Sequence, residues 1–134
     1  MIEASYPAKL ENLDSMIKFI TDLAEKSGFT AQHISQIHLA AEEILVNAIS
    51  YAYSGKNGSV EISCGIGSDD KLLIEIKDSG VPFNPLEKPD PDITLPLEQR
   101  KIGGLGIFMT KKIMDSVSYR RENNKNIVTL KKSK

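Results

Sequence analysis

At 134 residues and 40% hydrophobic content, the chain holds material for one globular domain, residues 1–134, around a single core. A formal net charge of -1 excludes the basic excess of a general nucleic-acid binder, and a single cysteine, Cys64, excludes a disulfide framework or a multi-cysteine metal site. The sequence shows no signal-peptide apolar segment and no apolar run of membrane-spanning length, so the expectation is a cytoplasmic protein acting directly on neither nucleic acid nor membrane.

Ile2 to Tyr6 reads as a short strand closed by Pro7. From Leu10 to Lys26, apolar residues at Leu13, Ile17, Ile20 and Leu23 fall at helical spacing, and Gly28 provides the stop. Thr30 caps a longer helix reaching about Tyr53, with Ile34, Ile37, Ala41, Ile44, Leu45, Ala48 and Ala52 on one face. Leu39 and Val46 make a second apolar flank, and between the flanks runs a polar stripe of Gln36, Glu43, Asn47 and Ser50. Such a stripe predicts a lined cleft. Two strands follow, Ser59 to Ile66 and Leu72 to Asp78, around a Gly-Ser-Asp-Asp turn. Alternation puts Val60, Ile62, Cys64 and Ile66 on one face of the first. It puts Leu72, Ile74, Ile76 and then Asp78 on one face of the second. Residues 81 to 102 carry five of the six prolines and read as a long loop or lid. A helix from Gly104 to about Met114 and a hairpin (Ser116 to Arg121, Ile127 to Lys132, turning at Asn123-Asn124) complete the chain.

Three pieces carry chemistry. Glu43 and Asn47 are neighbours on one helix face, where the amide oxygen suits Mg²⁺ and the carboxylate can accept a proton from an attacking hydroxyl; a solvated pair is the plainer alternative. Glu42 points away from that stripe. Asp78 delivers a carboxylate to the apolar side of a strand end, where it needs donors. Backbone amides of Ser79-Gly80 supply them in one reading, and an exocyclic ring amine such as that of adenine in the other, with Gly80 allowing a sharp turn or a close approach. Gly103-Gly104-Leu105-Gly106 before an apolar helix offers backbone N–H groups and the positive end of a helix dipole, a natural phosphate site. The loop lacks the Gly-Lys-Ser/Thr ending of a P-loop, and His33 and His38 support no catalytic or metal constellation.

The ordered set Glu-x-x-x-Asn, Asp-x-Gly and Gly-Gly-Leu-Gly resembles the boxes of the GHKL ATPase superfamily. The stretches AAEEILVNAISYAY, IKDSGVPFNP and NIVTLKK resemble, more closely, the anti-sigma regulatory factor serine/threonine protein kinases. That resemblance implies the Bergerat ATP-binding fold: an α/β two-layer sandwich with a mixed, mostly antiparallel sheet covered on one face by helices. It further implies Glu43 as general base and Asn47 as the Mg²⁺ ligand. Asp78 would read the adenine amine, with Gly80 beside the ring and Thr129 near the same amine through a water. Gly103, Gly104, Leu105 and Gly106 would wrap the ATP phosphates under a lid from about Asn84 to Ile102. The implied activity is transfer of the ATP γ-phosphate to a serine of a STAS-type anti-anti-sigma protein, regulating transcription by partner switching, with a sigma factor and a second copy of the chain as further partners. A non-catalytic ATP-binding or partner-sequestering module is the alternative. Tyr51 stands where many relatives carry histidine, and Pro82 replaces the second glycine of the wider superfamily's box.

Overall fold

A computed structural model describes residues 1–53, 56–87 and 104–134. The strands are β1 (Ile2–Pro7), β2 (Ser59–Ile66), β3 (Leu72–Asp78), β4 (Ser116–Glu122) and β5 (Lys125–Lys132). The helices are α1 (Leu13–Lys26), α2 (Ala31–Asn47) and α3 (Gly104–Ile113), with short 3-10 turns at Leu10–Asn12 and Pro85–Glu87. Most of the lid expected over residues 81 to 102, and Gly103 with it, lie outside the described residues.

The strands form one sheet in the order β1-β2-β3-β5-β4. Every pairing is antiparallel, so the mixed component of the expected sheet is not found among the described residues. The β-alternation read from the sequence defines the inner face. Val60, Ile62 and Cys64 of β2, Leu72, Ile74 and Ile76 of β3, and Val128 and Leu130 of β5 are all buried there. Against them pack Met16, Ile17, Ile20 and Ala24 of α1, and Ile37, Ala40, Ala41, Ile44 and Leu45 of α2. Each large aliphatic side chain so buried contributes roughly 1.5–3 kcal/mol against its exposed state. The opposite face is polar and tied by ion pairs, Lys125–Glu61 at 2.9 Å and Arg120–Glu75 at 3.1 Å.

Local signals behave as their chemistry demands. The Thr30 hydroxyl accepts from the His33 backbone N–H at 3.2 Å and starts α2. Gly28, at φ 89, ends α1. Asn123 and Asn124, at φ 54 and 61, both adopt the left-handed region that a tight two-residue hairpin needs.

One departure positions the site. After Asn47 the helix widens into a π-turn over Ala48–Ala52, in which the Tyr53 N–H reaches back to the Ala48 carbonyl at 3.3 Å. The Ala52 carbonyl is thereby presented to the sheet, where it accepts from the Val81 N–H at 2.9 Å. The Tyr53 hydroxyl joins the same edge, donating to the Ser59 carbonyl at 2.6 Å and accepting from the Ser79 N–H at 2.8 Å.

Candidate nucleotide site

Asp78 ends β3 on the inner face and is 6% exposed. Its Oδ1 accepts from the Gly80 N–H at 3.0 Å and from Asn126 Nδ2 at 2.8 Å. Among the described residues no donor reaches Oδ2. Burial pushes the carboxyl pKa up, opposed by the hydrogen bonds from Asn126 and Gly80 and by the nearby Arg121 cation. Around it Ile44 and Ala48, Ile76 and Val128, and Phe83 and Pro85 wall a narrow recess that Asn47 and Asn126 also line. One carboxylate oxygen left unengaged among apolar walls has the polarity to read an exocyclic amine on the edge of a flat ring.

Asn47 connects this recess to a second cluster. It is 3% exposed, and its Nδ2 donates to the Glu43 carbonyl at 2.6 Å and to Glu43 Oε1 at 3.2 Å. With the amide nitrogen engaged on Glu43, the amide oxygen is the Asn47 atom with ligand chemistry for a hard cation. No group of three or more His, Cys, Asp or Glu side chains that could hold a metal occurs among the described residues. A Mg²⁺ ion here would therefore draw most of its oxygens from phosphate and water, which is its habit.

The half-buried Glu43 carboxylate lies against Gly106 in the first turn of α3, closely enough that a Cβ at Gly106 would overlap it. Gly104 and Leu105 belong to the same turn. Buried Thr110 steadies this end of the helix by donating its hydroxyl to the Gly106 carbonyl at 2.9 Å. The N–H groups of a helix's first turn have no partner within the helix, and here they lie beside Glu43.

Two expected residues stand elsewhere. Thr129 does not approach Asp78: in the β3–β5 register it lies opposite Glu75, on the outer face, where Arg120 Nη1 donates to its hydroxyl at 3.5 Å. The residue opposite Asp78 is Asn126, which sequence reasoning missed. Period-two alternation back from Leu130 and Val128 would have found it. Gly80 likewise does not line the recess; a Cβ there would strike the Ala52 carbonyl, so its bareness serves the approach of loop to helix. Tyr51 stacks on Phe83 with centroids 5.3 Å apart and rings 21° from parallel, which puts it behind a wall of the recess. Of the second apolar flank of α2, Leu39 is exposed, and the side of the polar stripe is closed by α3 instead.

Comparison with known proteins bears on the family and the fold. Residues 6–132 match the model of the family described as histidine kinase-like ATPase domain. The chain is 33% identical over 122 residues to the serine-protein kinase RsbW of Oceanobacillus iheyensis, covering 87% of this chain and 76% of that one. It is 30% identical over 123 residues to the protein of the same name from Bacillus licheniformis, covering 87% and 75%. Among solved structures, the histidine kinase domain of the Erythrobacter litoralis EL346 blue-light activated histidine kinase aligns with a TM-score of 0.54 at 17% identity. That alignment covers 89% of this chain and 59% of the other, and it speaks for the fold alone. With a family match running nearly end to end, the chain belongs to the histidine kinase-like ATPase domain family.

Proposed function

We propose that the protein is an ATP-dependent serine-protein kinase of the anti-sigma type. The observation that carries the reading is the position of Asn47. It lines the Asp78 recess and also binds Glu43, whose carboxylate abuts the first turn of α3. A base-reading carboxylate, a cation-ligating amide, a proton acceptor and a phosphate-binding helix end are thereby contiguous. The naming of several relatives as serine-protein kinases supports the same activity.

In this reading Asp78 Oδ2 accepts from the adenine amine while Ile44, Ile76, Val128 and Phe83 sandwich the ring. The phosphates run toward the backbone N–H groups of Gly104, Leu105 and Gly106, with Gly103 preceding them. Bound Mg²⁺, held through the Asn47 amide oxygen, would neutralise phosphate charge. Glu43 takes the proton of a substrate serine hydroxyl as its oxygen bonds to the γ-phosphorus and the bond to the ADP oxygen breaks. Asn47 Nδ2 keeps the carboxylate oriented for that transfer. Phosphoryl transfer asks mainly for positioning and charge neutralisation, which these groups supply.

The substrate in this proposal is a STAS-type anti-anti-sigma protein, with a sigma factor as the alternate partner, a second copy of the chain as dimer mate, and the cytoplasm as the compartment. No helix of the described residues is long and apolar enough to cross a membrane. The test is transfer of label from γ-labelled ATP with Mg²⁺ to a STAS protein encoded beside this one. Transfer that disappears in Glu43→Gln while ATP binding persists supports the kinase. Tight partner binding with no transfer to any STAS candidate overturns it in favour of a sequestering module.

A further inference from the structure

Asn126 is 2% exposed and engages every hydrogen-bonding position of its amide. Nδ2 donates to Asp78 Oδ1 and to the Val81 carbonyl, each at 2.8 Å. Oδ1 accepts from the Phe83 N–H at 3.2 Å and from the Tyr119 hydroxyl at 2.6 Å. The partners lie on the end of β3, the loop that follows it and the edge strand β4. Only one amide orientation satisfies them. Reversed, the oxygen would face the Asp78 carboxylate and the Val81 carbonyl, and the nitrogen would face the Phe83 N–H. The Phe83 N–H and the Val81 carbonyl fix the orientation, and the Tyr119 hydroxyl braces it from β4 as the second donor to Oδ1.

We propose that Asn126, braced by Tyr119, is the positioning residue that sets base selectivity. It holds Asp78 with one oxygen engaged inside the protein and the other turned to the recess, and it fixes the Phe83 wall through the same amide. This rests on the nucleotide reading of the recess given above. With no donor or acceptor left over, the Asn126 amide lines the recess but makes no hydrogen bond to the base. It acts through Asp78, whose outward oxygen accepts from an exocyclic amine and repels the carbonyl oxygen that inosine carries in its place. Loss of the amide leaves Asp78 Oδ1 short of a donor in a buried setting, which favours the protonated acid. A protonated Asp78 donates to an oxopurine as readily as it accepts from an aminopurine, so discrimination fades.

The experiment measures the affinity of the full chain for ATP and for inosine triphosphate by calorimetry, in wild type, Asn126→Leu, Asn126→Thr and Tyr119→Phe. The ATP preference is expected to fall about tenfold in Asn126→Leu, the worth of one lost hydrogen bond. It is largely kept in Asn126→Thr, whose hydroxyl still donates to Asp78, and falls a few-fold in Tyr119→Phe. A purely structural role would weaken both nucleotides alike, and that result overturns the proposal. So does an unchanged ratio in folded Asn126→Leu. Should Asn126→Leu fail to fold, an unchanged ratio in Tyr119→Phe decides against it. A wild type with no ATP preference removes the adenine reading of Asp78 as well. A wild type that prefers ATP, with variants that leave the ratio alone, removes only the role of Asn126.

Discussion

Asn47 holds Glu43 twice through one nitrogen, at the backbone carbonyl and at the carboxylate. The side chain that lines the base recess therefore also sets the direction of the proton acceptor. Removing the carboxylate without disturbing this bond is the cleanest perturbation, because a glutamine at position 43 still offers an oxygen to Asn47. Glu43→Gln is expected to lower phosphoryl transfer by at least about a hundredfold, with ATP affinity changed less than about threefold. Single-turnover transfer and calorimetric ATP binding check the two halves. A variant that transfers phosphate at the wild-type rate removes Glu43 from the chemistry.

Two glycines should respond to the same substitution in opposite ways. At Gly80 an added Cβ meets the backbone of Ala52, which has little freedom to move. Gly80→Ala is expected to cost about 2 kcal/mol of stability, read by urea denaturation. At Gly106 the obstacle is the end of the Glu43 side chain, which can swing aside. Gly106→Ala should leave the urea midpoint nearly unchanged and slow transfer by up to about a hundredfold through a displaced carboxylate.

Asp78 ties stability to pH with a definite sign. Its folded pKa lies above the ordinary 3.8, because burial outweighs the help from Asn126, Gly80 and Arg121. A carboxyl so shifted stabilises the fold while protonated, and that contribution is lost as pH rises through its folded pKa. Asp78→Asn should thus be no less stable than wild type at neutral pH, with its relative advantage shrinking as pH falls toward 3.8. The same variant should lose ATP binding, since an amide N–H would then meet the adenine amine. Urea titrations at two pH values and one binding isotherm suffice. A large stability loss at neutral pH contradicts the assignment.

Cys64 is fully buried on the inner face, and burial pushes its thiol pKa up to about 11. The native protein should resist thiol reagents at pH 8 and react promptly in urea, which makes Cys64 a reporter of global opening. Rapid labelling of the folded chain would mean that β2 opens locally.

Much of this was legible in the sequence, for reasons particular to each element. The alternation through Leu72, Ile74 and Ile76 fixed the side on which Asp78 lies, and Asp78 is buried there. Thr129 was misassigned because its place came from the resemblance, although Val128 and Leu130 beside it already claimed the inner face. Asn126 was hidden because the expected strand began at Ile127, whereas β5 begins at Lys125. The service of Gly80 to Ala52 is a contact across sequence, which no local pattern records. The π-turn is equally silent, since Ala48–Ala52 reads as ordinary helix until Val81 and Tyr53 find their partners.

That turn lets the helix absorb a residue without turning its end away from the sheet. Ala48–Ala52 holds one residue more than ordinary pitch requires, and the wider coil takes it up within a single turn. Deleting any one of the five would let the helix close with ordinary bonds and leave the residues beyond it on nearly the same side. The Ala52 carbonyl would still face Val81, and the Tyr53 hydroxyl Ser59 and Ser79. Homologous chains that keep this docking should therefore tolerate a one-residue gap between Asn47 and Tyr53, and no longer one.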